Sequence, residues 1–125
     1  MAISDELIEQ AIDIIASING IEMNHDELVD DVILIAYAFD QEPTFMAAIS
    51  QITHSLHLIV KTRNIGQQLS GNLKDWMSFH FQSQRTQKYP ADLRIVYQDV
   101  GNKIRVRGFG HRRIPKDFYS RLYGR

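Results

Sequence analysis

At 125 residues and 14.5 kDa the chain is long enough for one packed core and too short for two ordinary domains, so a single domain over 1–125 is expected. A composition of 44% hydrophobic and 23% charged residues, with seven Gly and three Pro, excludes disordered, collagenous and coiled-coil classes. The absence of Cys excludes a disulfide framework, a thiolate metal site and a cysteine nucleophile.

The formal charge of -1 conceals a polarity along the chain. Residues 1–60 carry eleven acids and no Lys or Arg, a formal charge of -11, whereas residues 61–125 carry all fourteen bases and four acids, a formal charge of +10. Such asymmetry points to a basic surface for a polyanion, to charge pairing between the halves, or to both. The opening Met1-Ala2-Ile3-Ser4-Asp5-Glu6 has acid where a secretory signal needs Lys or Arg. The longest apolar run, Val32 to Phe39, is eight residues against the roughly twenty of a spanning helix. A cytoplasmic protein without a membrane segment is expected.

In chain order, Ser4 reads as an N-cap, and Leu7/Ile8, Ala11/Ile12, Ile14/Ile15 and Ile18 follow at helical spacing until Asn19-Gly20. Asn24 and Glu27 have capping-box spacing and open a largely buried second helix, Leu28 to Phe39. Pro43 suits a first helical turn, and Phe45, Ile49, Ile52, Leu56 and Ile59/Val60 then mark one face of a third helix reaching about Arg63. Beyond Asn64, the residues Gly66, Ser70, Gly71 and Asn72 punctuate a loop, and the apolar residues become β-branched or aromatic. Strands are expected at Trp76–Gln82, Leu93–Gln98 and Lys103–Phe109, with a turn at Gly101-Asn102. Alternation places Lys103, Arg105, Arg107 and Phe109 on one face of the last strand, and His80 on the same face as Trp76, Ser78 and Gln82. Pro115–Tyr123 can form a short helix. The fold class is thus α+β, with N-terminal helices on a small antiparallel sheet of about three strands and a short C-terminal helix.

Three stretches carry a likeness: Ile65-Gly66-Gln67-Gln68-Leu69-Ser70-Gly71-Asn72-Leu73-Lys74-Asp75-Trp76, then Asp92-Leu93-Arg94-Ile95-Val96-Tyr97, then Gly110-His111-Arg112-Arg113 followed by Asp117-Phe118-Tyr119. Over about residues 43–123 the chain resembles the RelE/ParE superfamily of bacterial toxins from toxin-antitoxin systems, leaving 1–42 as an acidic helical extension. The resemblance implies an mRNA interferase, a metal-independent endoribonuclease that cuts messenger RNA on the ribosome, needs no cofactor, and is neutralised by an antitoxin protein. RNA carries its own nucleophile, the 2′-OH, so such an enzyme positions it in line, removes its proton, stabilises phosphate charge and protonates the leaving 5′-oxygen.

The resemblance carries a catalytic His onto His80 within Leu73-Lys74-Asp75-Trp76-Met77-Ser78-Phe79-His80, a second His onto His111, and the phosphate-stabilising Arg onto Arg94 or Arg112. Tyr119 is the tail aromatic of the same set, and Lys74, Lys103, Arg105, Arg107 and Arg113 are expected to bind RNA. Two imidazoles with ordinary pKa near 6.5 can serve as base and acid, provided His80 and His111 converge on one face. Read alone, His80 is equally a packed histidine between two Phe, His111-Arg112-Arg113 a basic turn, and Arg94 a sheet residue with a polar tip at the edge. His54 and His57 are helix-surface residues without a third ligand at matching spacing, so no metal site is expected.

The chain departs from the family in three places. Residues 1–20 read as helix where the family begins with a strand, which leaves a sheet edge to be covered by a partner or by a homodimer. The loop Ser83–Ala91 is long, and the segment between His111 and Asp117 displaces Tyr119. Two alternatives to an enzyme stay open: a non-catalytic binding or regulatory protein of the same fold, and a gyrase inhibitor of the ParE type. The acidic segment is either a solvated surface over the core or a shield lying on the basic face.

Overall fold

A computed structural model describes residues 2–125. Helix α1 (Asp5–Ala16) starts where Ser4 Oγ accepts the Leu7 amide at 3.2 Å, and α2 (His25–Ala38) starts where Asn24 Oδ1 accepts the Glu27 amide at 3.0 Å. Each such cap stabilises its helix by about 1 kcal/mol. Between them lies a two-residue strand, β1 (Ile21–Glu22). Helix α3 (Glu42–Thr62) has Pro43 in its first turn and stops at Arg63, whose φ of 63° breaks the helical path. The chain then runs through β2 (Gln67–Gln68), a 3₁₀ turn at Gly71–Leu73, β3 (Met77–Phe81), β4 (Leu93–Asp99), β5 (Ile104–His111) and α4 (Phe118–Leu122).

The architecture is α+β, and the sheet has five strands rather than three, in the order β1-β5-β4-β3-β2. The two additional strands are residue pairs at the sheet's flanks: β1 runs parallel to the start of β5, and β2 runs antiparallel to the start of β3. Helices α1 to α3 cover one face. There Ile8, Ile15, Val32, Ile35, Phe45, Ile52 and Leu56 pack against Leu93, Ile95, Tyr97, Ile104, Val106 and Phe109 in one continuous core. Each such side chain contributes about 1.5–3 kcal/mol when fully buried. Residues 1–42 are therefore not an appendage to this core but part of it.

Tyr97, fully buried, shows how a polar group serves the core. Its hydroxyl donates to Arg63 O at 2.6 Å and accepts from Gly66 N at 3.0 Å, fixing the exit from α3. A smaller cluster of Leu73, Val96, Phe118 and Leu122 seats α4 on the opposite, outer face of the sheet.

A β-bulge governs which side chains reach that outer face. Val96 pairs with Gly108 but Tyr97 pairs with Val106, so Arg107 is an extra residue and the alternation of β5 inverts there. Arg105 points outward before the bulge and Gly108 and Gly110 after it, while Phe109 turns into the helix-side core with Ile104 and Val106. The expectation that Phe109 shares a face with Lys103, Arg105 and Arg107 is corrected by this one residue.

The β5 edge of the sheet is closed from within. β1 pairs with its first two residues. Further along, the fully buried Asp31 of α2 accepts the Phe109 amide at 3.0 Å, Arg121 donates to Phe109 O at 2.9 Å, and Arg125 donates to Arg107 O at 3.0 Å. Both arginines also bind Asp31, Arg121 at 3.1 Å and Arg125 at 2.8 and 2.9 Å. These groups satisfy the backbone positions that a neighbouring strand or a second copy would use. Among the described residues, no helix is long and apolar enough to cross a membrane.

Candidate functional site

The site lies on the outer face, where β3, β4 and the end of β5 meet α4. His80 of β3 is directly opposite Arg94 of β4, and Arg94 is opposite Gly110 of β5. Ser78, two residues before His80 and therefore on the same face, is buried, with 1% exposed. Tyr119 descends from α4 between them, its hydroxyl 3.1 Å from His80 Nε2 and 2.9 Å from Ser78 Oγ. The result is a hydrogen-bonded chain Ser78–Tyr119–His80, with the imidazole at its solvent end.

Several local features hold Tyr119 there. Asp117 Oδ2 caps α4 by accepting the Ser120 amide at 3.1 Å, and Phe118 N donates to Arg112 O at 3.2 Å, tying the helix to the end of β5. The Phe118 ring packs edge-on to Tyr119 at 5.4 Å. A Cβ at Gly110 would lie 3.2 Å from the Phe118 ring and 2.7 Å from Arg121 Nη2, and one at Gly108 would lie 2.5 Å from Leu122 Cδ2. Both glycines are needed so that α4 can lie this close to the sheet. The segment between His111 and Asp117 thus delivers Tyr119 to His80 rather than displacing it.

Arg94 and Arg112 supply the positive charge. The Arg94 guanidinium donates through Nη1 to Ala91 O and Leu93 O, while its Nε is buried without a partner. Arg112 follows β5, its amide donating to Asp92 O at 2.8 Å, and its Nε is likewise buried and unpartnered. Arg121 Nε is a third buried N–H without an acceptor; of the first two arginines, Arg94 lies directly opposite His80 and its charge acts on the imidazoles of both His80 and His111, whereas the charge of Arg112 acts on His111. Burial, and then the charge of Arg94, hold the His80 pKa below its ordinary value, so the imidazole is neutral at pH 7 and can accept a proton.

His111 is not part of this constellation. Coming after the bulge, it lies opposite Leu93 on the helix side of the sheet, its ring 5.9 Å from that of Phe39. Its Nδ1 accepts the amides of Arg113 and Ile114 at 3.0 and 3.1 Å, and burial depresses its pKa. The expected convergence of His80 and His111 is corrected: the two imidazoles are on opposite faces, and His111 organises the turn that follows β5.

The expected RNA-binding residues divide in the same way. Lys103 and Arg105 bind Glu22 at 2.8 and 3.2 Å, and the hydrogen bonds from Lys103 and then Arg105 hold the Glu22 carboxyl below its usual range. Arg107 lies 5.0 Å over the Trp76 ring and donates to Leu122 O at 2.9 Å, closing the C-terminal end of α4. Lys74, after the 3₁₀ turn, and Arg113, after β5, are exposed. The sequence reading missed Ser78 as a participant; its signal was its i-2 position relative to His80.

Among the described residues, no group of three or more His, Asp or Glu side chains is arranged to hold a metal ion. No family model, curated protein or solved structure matches the chain. The chemistry of the site therefore rests on its residues and their geometry.

Proposed function

We propose that the outer face binds single-stranded RNA and cleaves it without metal, as a RelE-like mRNA interferase, with one imidazole rather than two. The observation that carries this reading is the contact of His80 Nε2 with Tyr119 Oη at 3.1 Å, with Arg94 directly opposite His80 on the neighbouring strand. Neutral His80 takes the proton of the 2′-OH, and the 2′-oxygen attacks phosphorus as the P–O5′ bond breaks. Arg94 and Arg112 bind the phosphate oxygens as their charge grows. Tyr119 gives its phenolic proton to the departing O5′ and recovers one from the His80 imidazolium, leaving a 2′,3′-cyclic phosphate and a 5′-hydroxyl. The family resemblance adds messenger RNA on the ribosome as the setting and an antitoxin as the natural partner.

A second reading, a non-catalytic nucleic-acid-binding protein, is favoured by one observation, the placement of His111 on the other face. Primer-extension mapping of cellular mRNA after brief induction separates the two. New 5′ ends within coding regions are expected with the wild type and with His111→Ala, and not with His80→Ala. Absence of new ends with folded wild-type protein refutes cleavage and leaves the binding reading.

A further inference from the structure

The long connection between β3 and β4 is a built structure. Asp92, only 4% exposed, accepts the Ser83 amide at 2.8 Å and the Ser83 hydroxyl at 2.6 Å. Gln82 Nε2 donates to Thr86 O at 3.2 Å and Tyr89 O at 2.6 Å, and Tyr89 N donates to Thr86 O at 3.0 Å. A buried carboxylate and a side-chain amide thus set the path of this connection over residues 82–92.

The loop forms one wall of a groove of about 420 Å³, to which it contributes Arg85 and Tyr89. Phe79 and Phe81, stacked at 5.7 Å with their planes 16° apart, lie on β3, and Gln51 and His54 line the α3 side. His80 borders the groove at the edge of β3, but its imidazole is on the outer face with Tyr119 while Phe79 and Phe81 face the helix side, so the groove and the site lie on either side of that strand edge. β2 pairs only with Met77 and Ser78, so no strand covers Phe79–Phe81 on this side. The lining contains no carboxylate, in a chain with fifteen, whereas the groove between α1 and α2 is lined by Asp5, Glu9 and Asp13. Aromatic faces, a guanidinium and amide groups without acid are the chemistry that holds single-stranded nucleic acid.

We propose that this groove receives one unpaired base of an RNA strand that crosses the open edge of β3 from the phosphate at His80, with Tyr89 as the stacking surface, Arg85 on the flanking phosphate, and Gln51 and His54 toward the base edge. The proposal rests on the reading of the His80 face as an RNA site and adds a base-selecting element built by this chain's own loop. Removal of one stacked base is expected to weaken binding about five- to a hundredfold.

Fluorescence anisotropy with a labelled 2′-O-methyl hexanucleotide, which has no free 2′-OH to attack, tests it alongside the set of single-abasic versions. For the wild type, one abasic position is expected to weaken binding by that factor. Tyr89→Ala is expected to weaken the intact strand equally and to lose less than about twofold more on the abasic strand, and Arg85→Ala is expected to weaken both strands alike. Tyr89 is 37% exposed, so its truncation spares the core, and circular dichroism confirms the fold. If Tyr89→Ala binds like the wild type, or if its loss and the abasic loss simply add, the base pocket is refuted. An accompanying loss with Arg94→Gln then leaves the RNA reading standing, whereas no binding by the wild type refutes both.

Discussion

Asp31→Ala tests the closure of the β5 edge. The fully buried carboxylate accepts four hydrogen bonds, from Phe109 N, Arg121 Nη2, and Arg125 Nη1 and Nη2, at 2.8–3.1 Å. The two arginine side chains are themselves only 15% and 10% exposed, so little solvent replaces the lost partner. Removing one member of such a buried arrangement costs about 3–5 kcal/mol, because the remaining charges and the amide are left uncompensated. With an unfolding entropy of about 2.1 cal/mol/K per residue, a chain of 125 residues loses about 11–19 °C in Tm. Asp31→Asn, which keeps shape but not charge, is expected to retain most of that loss and to couple to Arg125→Gln by more than about 1 kcal/mol in a double-mutant cycle. Urea unfolding followed by circular dichroism measures both quantities, and added salt should change them little because the pair is buried. A loss below about 1 kcal/mol for Asp31→Ala, or additive Asp31→Asn and Arg125→Gln effects, would refute the idea that this carboxylate closes the edge.

Two further predictions follow from the seating of α4 and from the imidazoles. Gly110→Ala drives a Cβ toward Arg121 and Phe118, and is expected to cost about 1–3 kcal/mol and to lower the proposed RNA cleavage together with stability, since α4 carries Tyr119; an unaltered urea midpoint would show that α4 is not held as described. Burial depresses the pKa of both His80 and His111, so the folded chain binds fewer protons than the unfolded one between the depressed values and about 6.5. Stability should therefore be complete above about pH 6.5 and fall as the pH drops through the folded values. Urea midpoints from about pH 7.5 to 5 check the sign, and His111→Gln should flatten part of the slope; a midpoint that rises on acidification would contradict it.

Helix starts were legible because Ser4, Asn24 and Pro43 act locally, through their own neighbours. The strands β3, β4 and β5 were legible for a similar reason, their side-chain chemistry being a property of the segment itself. The flanking strands were not: Ile21–Glu22 and Gln67–Gln68 are strands only because a neighbour presents a free ladder, and two residues carry no period. The His80–Tyr119 contact joins residues 39 apart and depends on where α4 settles, which Gly108 and Gly110 permit but do not announce. The resemblance put His111 in the site, and the structure removes it for one physical reason. Parity counted from Lys103 places residues 105, 107, 109 and 111 on one face, and one inserted residue at Arg107 sends Phe109 and His111 to the other. The same inversion brings Gly108, Gly110 and Arg112 outward, so the bulge that removes an imidazole from the site also makes room for the tyrosine that meets His80.

The charge polarity of the chain resolves in these terms. Of the eleven acids in the first sixty residues, only Glu22 and Asp31 make ion pairs with the basic half among the described residues. Neither lies over His80. Glu22 meets Lys103 and Arg105 at the start of β5, and Asp31 is spent on closing its far edge. The helices that bear the other acids are packed on the opposite side of the sheet from α4. The acidic segment therefore builds the core and pins a strand, and it does not lie as a shield over the basic face. That arrangement leaves Arg94 opposite the exposed imidazole, and Arg112 and Arg113 at the end of β5, without an ion-paired carboxylate among the described residues, so the positive potential on this side of the sheet is not cancelled locally.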